Sequence, residues 1–93
     1  MKISDFIRTE GIDAEVSPVK KWSDVIVNFV NDEGADDETS FDVENVDTEE
    51  GKKELEELFE GFCEENNFPV DTVTGVCVNA TADTYEELVE ITP

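Results

Sequence analysis

Carboxylates are the only abundant side chains in this sequence that could do chemistry. The 93 residues include 26 Asp and Glu, 6 Lys and Arg and no His, a formal net charge of −20 at pH 7. Paired carboxylates can hydrolyse glycosides, but a chain this short builds one small core and has no room for a long sugar cleft. Since the sequence also lacks a glycine-rich phosphate loop and a nucleophile elbow, we expect a protein that is not an enzyme and uses no cofactor.

Metal-binding patterns are missing too. An EF-hand needs Gly at loop position 6 and an acid at position 1, and placing Gly34 or Gly51 at position 6 puts Phe29 or Val46 at position 1. Cys63 and Cys77 have no CxxC spacing and no His nearby, so they are too few for a zinc or iron–sulfur site. We expect no metal site and two reduced cysteines among apolar neighbours, with a disulfide between them as the alternative.

The negative charge is concentrated in one part of the chain. Residues 1–30 carry five acids and four bases, whereas residues 32–65 carry sixteen acids and only Lys52 and Lys53, a net −14. A field of this kind repels nucleic acid and anionic membranes and attracts basic proteins. We therefore expect a basic protein partner, no direct binding of nucleic acid and no membrane contact. Met1 is not followed by an apolar run of signal-peptide length, so a cytoplasmic location is expected.

Hydrophobic periodicity predicts one α+β domain over residues 1–93. Its expected architecture is a small, largely antiparallel sheet with one long amphipathic helix packed on one face and a short N-terminal helix. Residues 25–30 are the clearest strand, with Val25, Val27 and Phe29 on one face. Residues 4–10 predict the short helix, capped by Ser4 and ended by Gly11, and residues 12–16 predict a brief strand.

The long helix is predicted to begin at Asp47 or Thr48 and to end at residues 66–67. Asp47 and Glu50 have the spacing of a capping box, with Asp in place of the usual Ser or Thr. Five apolar residues recur with the spacing of a buried helical stripe: Leu55, Leu58, Phe59, Phe62 and Cys63.

Three further segments complete the predicted fold. Residues 31–38 are expected to form a hairpin loop, and residues 40–46 the second strand, with Phe41 and Val43 facing inward and Asp42 and Glu44 facing outward. Residues 70–80 predict a central strand bulged at Gly75. Residues 83–91 fit a helix or an edge strand, and the helix is preferred.

Two groups of acids are the candidate partner-binding residues. On the long helix, Glu56, Glu60 and Glu64 recur every four residues and lie about 6 Å apart along the axis, and outward splay widens this separation toward the spacing of successive phosphates on a nucleic-acid strand. Like charges at this spacing destabilise a helix, although Glu is also common on ordinary helix surfaces. Glu57 lies beside this row. The hairpin loop supplies the rest: Asp32, Glu33, Asp36, Asp37 and Glu38.

Two segments carry a resemblance to a known family: Met1-Lys2-Ile3-Ser4-Asp5-Phe6-Ile7-Arg8 and Phe29-Val30-Asn31-Asp32-Glu33-Gly34. They resemble the start and the strand-to-turn junction of small acidic prophage-encoded anti-CRISPR proteins, Cas9 inhibitors that act as DNA mimics. The order helix, hairpin, amphipathic helix is similar as well, and the last third of the chain departs from the family. The resemblance implies an inhibitor that occupies the site where Cas9 reads the protospacer-adjacent duplex, with Asp32, Glu33, Asp36 and Asp37 in contact.

The sequence therefore predicts a non-enzymatic inhibitor that mimics nucleic-acid charge and blocks the DNA-binding site of a CRISPR or restriction nuclease. An acidic adaptor module for another basic protein, without DNA mimicry, is the alternative. Halophilic adaptation fits less well, because it would spread the charge evenly, and the first 30 residues are nearly neutral.

Overall fold

The computed structural model of the protein describes residues 1–14 and 18–92. In this part of the chain the order of elements is α1 (Ile3–Glu10), β1 (Asp13–Ala14), β2 (Trp22–Val30), β3 (Asp36–Glu44), α2 (Glu49–Asn66), β4 (Val73–Ala82) and α3 (Tyr85–Ile91). The strands form a sheet in the order β1-β4-β2-β3, in which β1 is parallel to β4 and the other two pairings are antiparallel. The predicted α+β fold with a largely antiparallel sheet is confirmed.

The core lies on one face of β2. Val25, Val27 and Phe29 are at most 1% exposed, as their alternation in the sequence predicted. The strand begins at Trp22, three residues earlier than expected, because its first residues continue the pairing with β3 as far as Glu44.

The hairpin loop is shorter than predicted. β3 begins at Asp36, opposite Val30, so residues 36–38 belong to the strand and the turn comprises residues 31–35. Asp and Glu have low intrinsic β-propensity, but the ladder with the strongly β-forming β2 overrides that preference. The predicted alternation holds: Val43 is buried on the core face, while Asp42 and Glu44 lie on the opposite face.

β4 occupies the predicted central position, between β1 and β2. Its ladder with β2 has two irregularities, one between Asp24 and Val25 and one between Asn28 and Phe29. At the second, Asn28 pairs with Gly75 and Phe29 with Val73, so Thr74 is the extra residue and the bulge lies next to the predicted position.

α2 covers the core face of the sheet. Phe29 of β2 packs edge-on against Phe59 and Phe62, with ring centroids 5.5 and 5.9 Å apart. The buried residues of the helix recur every four positions: Gly51, Leu55, Phe59 and Cys63. Cys63 is a buried thiol without a disulfide, so the alternative of a bridge to Cys77 is wrong. Burial, and then the charge of Glu60, raises the pKa of the Cys63 thiol.

The buried stripe of α2 matches the predicted one except at Leu58. Leu58 is 38% exposed and Phe62 is half-buried, so the prediction that Leu58 faces the core is wrong. The reason is α1, which packs against α2 and lies over the flank that carries Lys52 and Glu56. Leu58 lies on the opposite flank of α2, beside β3, which is the edge strand of the sheet.

Both ends of α2 have side-chain or backbone caps. The Thr48 hydroxyl accepts a hydrogen bond from the Gly51 N–H at 3.1 Å, so Thr48 and not Asp47 is the N-cap, and the capping box expected between Asp47 and Glu50 is wrong. Asn67 adopts a left-handed conformation, with φ 57°, and ends the helix where predicted.

The two shorter helices differ in how well their ends were predicted. α1 begins at Ile3 after Lys2, without a side-chain cap, so the predicted Ser4 cap is wrong; Gly11, with φ 79°, ends the helix as expected. β1 comprises Asp13 and Ala14, both exposed; Ile12 precedes the strand, and residues 15–16 of the predicted strand lie outside the described residues. α3 confirms the helical alternative for the C-terminal segment, with Thr84 as its N-cap.

Candidate partner-binding surface

The turn of the hairpin holds Asp32 and Glu33 in a fixed geometry. The Asn31 side-chain oxygen accepts hydrogen bonds from the N–H groups of Glu33 and Ala35, at 2.9 and 3.1 Å, and the Gly34 N–H donates to the Asn31 carbonyl at 3.0 Å. Gly34 has φ 78°, which glycine adopts without strain. This Asx turn leaves both carboxylates exposed at one end of the molecule.

The three acids at the start of β3 point to two different faces. Asp37 is paired with Phe29 and shares its face, the side covered by α2, whereas Asp36 and Glu38 lie on the opposite side. We call that opposite side, which α3 covers in part beside Trp22, the open face of the sheet. Asp37 also accepts a hydrogen bond from the N–H of Glu38 at 2.8 Å, which holds its carboxylate beside the turn. The acids predicted as one loop cluster are thus divided between faces.

Three of the four predicted helix acids form an exposed row on α2. Glu57, Glu60 and Glu64 are exposed and follow one another at three- and four-residue spacing, which places them on one side of the helix. Glu56 differs, because it lines the groove between α1 and α2 together with Ile7 and is half-buried. We call Glu57, Glu60 and Glu64 the helix row.

Partial burial is the main cause of the raised pKa of Glu56. Partial desolvation raises the pKa of this carboxyl group, the charges of Glu60, Glu49 and Glu57 raise the pKa further, and Lys53 lowers it. Repulsion from neighbouring carboxylates thus raises the pKa of Glu56 in the same direction as desolvation and comes second to it.

The predicted binding acids form no ion pairs among the described residues. The ion pairs of the described residues join Arg8 to Asp5 at 2.8 Å, Lys20 to Asp83 at 3.9 Å and Lys21 to Glu44 at 3.5 Å. The sequence has no Lys or Arg between positions 21 and 52 or after position 53. Across residues 1–14 and 18–92, none of the nine predicted acids takes part in an ion pair, so their charge is available to a partner.

The open face carries a further acidic pair, which is not among the acids predicted from the sequence. Asp24 of β2 and Asp42 of β3 are opposite each other, and Asp24 is 8% exposed. The Asn79 amide donates a hydrogen bond to Asp24 at 3.1 Å. Burial, and then the charge of Asp24, raises the pKa of Asp42. The available signal was the alternation of Trp22, Asp24 and Ile26, which places Asp24 on the non-core side of the strand.

Comparisons with known proteins add no further assignment: no protein-family model, curated protein or solved structure matches this chain. Within residues 1–14 and 18–92, no helix combines the length and the apolar character needed to cross a membrane. In the same residues, no three Cys, Asp or Glu side chains are grouped in a way that could hold a metal ion.

Proposed function

We propose that this protein is a non-enzymatic inhibitor that presents carboxylates in place of nucleic-acid phosphates and so blocks the DNA-binding site of a basic protein, such as Cas9 or a restriction nuclease. The proposal rests on one observation: the helix row is exposed and has no ion-pair partner among the described residues. Its site of action would be the cytoplasm of the cell that contains the target nuclease.

The helix supplies the geometry that mimicry requires. Glu60 and Glu64 lie one turn apart, about 6 Å along the axis, and outward splay of the side chains widens their separation toward that of neighbouring phosphates. α2 is packed on the sheet through Leu55, Phe59 and Cys63, so the row is held on a rigid support. Preorganised carboxylates can form charge-assisted hydrogen bonds with Arg and Lys without paying for the ordering of a flexible acidic chain.

A competition assay tests this function directly. The purified protein is titrated into a complex of a guide-loaded Cas9, or of a restriction nuclease, with labelled duplex DNA that contains its recognition sequence. Displacement of the DNA, with an inhibition constant that weakens as salt rises, is expected because the contacts are mainly between charges. A stable ternary complex of protein, nuclease and DNA would contradict mimicry and support the acidic adaptor.

A further inference from the structure

β3 is a long and regular edge strand. It has nine residues, and within residues 1–14 and 18–92 no strand pairs with its outer side. Its pairing with β2 runs from Glu44 to Asp36 without a register shift, and it contains neither Pro nor Gly. An edge of this kind presents unpaired backbone groups, to which another extended segment can add.

The two ends of the hairpin fix which backbone groups of β3 point outward. The Asn31 N–H donates to the Ala35 carbonyl at 2.9 Å, and the Asn45 N–H donates to the Lys21 carbonyl at 2.7 Å. Hydrogen-bonded and non-hydrogen-bonded pairs alternate in an antiparallel ladder, and counting from either end gives the same result. The outward N–H and C=O groups belong to Asp36, Glu38, Ser40, Asp42 and Glu44.

The same five residues carry their side chains on the open face, because side chain and backbone direction alternate together along a strand. Four of them are acids, and Asp24 of β2 adds a fifth carboxylate opposite Asp42. Lys21 pairs with Glu44 at the end of the strand. A segment added to this edge would therefore place every second side chain beside carboxylates.

The other side chains of an added segment would meet apolar groups. On the α2 side, Phe41 is half-buried, and its ring lies 6.1 Å from that of Phe62. Leu58 is 38% exposed and, one turn before Phe62, occupies the same flank of α2. A strand next to β3 would cover this incompletely buried strip.

We infer that β3 binds an extended segment of a partner protein in which basic and apolar residues alternate, and that this segment joins the sheet as a fifth strand. Basic residues lie beside the acids of the open face, and apolar residues lie beside Phe41, Phe62 and Leu58. A second copy of this chain is a poor occupant, because pairing of two β3 strands opposes acids with acids. The inference does not rest on DNA mimicry, since a peptide can bind the edge whether or not the protein displaces DNA.

The test uses a synthetic nine-residue peptide of alternating Arg and Val with blocked termini. Isothermal titration calorimetry gives its affinity, and NMR amide exchange locates it on the full-length protein. We expect saturating peptide to slow exchange of the amides of Ser40 and Asp42 by about tenfold or more, since these point outward in the absence of peptide. The outward Glu38 amide already donates to the Asp37 carboxylate, so it should change less. The amides of Thr39 and Phe41 already bond to β2, so they should change much less.

Matched controls separate strand addition from simple charge attraction. A peptide of the same composition with Arg and Val in blocks, or one with N-methylated amides on the side facing β3, should bind at least about tenfold more weakly, because it forms fewer ladder hydrogen bonds. Ser40→Pro removes one outward N–H that the β2 ladder does not use and should weaken binding similarly, whereas Ser40→Ala should bind within about twofold.

Equal affinity of the blocked-order or N-methylated peptide would overturn the inference, as would peptide binding without protection of the β3 amides. Self-association of the protein through β3, detected by ultracentrifugation and by protection of the same amides without peptide, would also overturn it. The N-methylated peptide leaves the protein unchanged, so the test stands even if Ser40→Pro impairs folding.

Discussion

Asp24 and Asp42 face each other across β2 and β3 at a non-hydrogen-bonded position, where opposing Cα atoms are about 4.5 Å apart and side chains are closest. Like charges in direct opposition destabilise a sheet. The Asn79 amide offsets part of this cost by donating to Asp24, but no base of the described residues pairs with either carboxylate. Repulsion between these two carboxylates therefore destabilises the open face, and a cationic group placed beside them would reduce it.

Replacement of Asp42 by Asn should stabilise the protein at pH 7 by about 0.5 kcal/mol, because it removes one member of the opposed pair. The pKa of Asp42 is raised in the folded state, so its destabilising effect is complete above the folded pKa and disappears below the unfolded value near 4. The wild-type melting temperature should therefore rise as the pH falls from 7 toward 4, and Asp42→Asn should flatten this rise. Asp32→Asn removes the same charge from the exposed turn and should flatten the rise of the melting temperature less. If both substitutions flatten it equally, the pH dependence comes from net charge and not from the opposed pair.

Two glycines of α2 should respond in opposite ways to replacement by Ala. A Cβ at Gly61 would have no neighbour within 4 Å, so Gly61→Ala should stabilise the protein by about 1 kcal/mol through helix propensity. A Cβ at Gly51 would overlap the Asn45 carbonyl and lie 2.8 Å from the Val46 Cα, so Gly51→Ala should destabilise by about 1–3 kcal/mol. Urea unfolding measures both changes, and stabilisation by Gly51→Ala would contradict the close approach of α2 to the segment after β3.

The N-cap of α2 can be assigned by a pair of substitutions. Thr48→Ala should cost about 1 kcal/mol, because it removes the hydroxyl that accepts from the Gly51 N–H and donates to the Asn45 carbonyl at 2.7 Å. Asp47→Ala, at the neighbouring exposed position, should cost less than half as much. Chemical denaturation of the two variants distinguishes the alternatives, and a larger loss for Asp47→Ala would restore Asp47 as the cap.

Two leucines that the sequence places in one stripe should differ in importance to stability. Leu55 is fully buried, so Leu55→Ala should destabilise by about 2–5 kcal/mol, whereas Leu58→Ala, at a position 38% exposed, should cost about 1 kcal/mol or less. If Leu58 belongs to the strip covered by an added strand, Leu58→Ala should also weaken binding of the alternating peptide. Equal losses of stability for both variants would contradict the orientation of α2.

The features that were predictable from the sequence are those set by local pattern. The alternation around Val27 fixed the core face of β2, and Asn67 marked the end of α2, because strand period and left-handed caps depend on neighbouring residues. The start of β3 at Asp36 was not predictable in this way, since pairing with β2 decides it against local propensity. Leu58 was misplaced for a similar reason: only the docking of α1 shows which flank of α2 is covered.

The candidate site was predictable in composition but not in arrangement. Asp36 and Asp37 are adjacent in sequence, and a loop would allow both to face one partner. In β3 they point to opposite faces, because successive strand residues alternate. No count of charge could reveal this division, which depends on where the strand begins.

The helix row is on the α2 side of the sheet and Asp36 and Glu38 are on the open face, so a partner that binds on one side contacts one group and not the other. If the helix row replaces phosphates, Glu60→Gln combined with Glu64→Gln should raise the inhibition constant in the DNA competition assay by about tenfold or more, since desolvated charge pairs are lost. Asp36→Asn combined with Glu38→Gln removes the same amount of charge. It should change the inhibition constant by less than about twofold, since charges at the rim of an interface contribute little. If both double substitutions raise the inhibition constant equally, inhibition follows net charge alone. If only the second raises it, the surface that competes with DNA is on the open face.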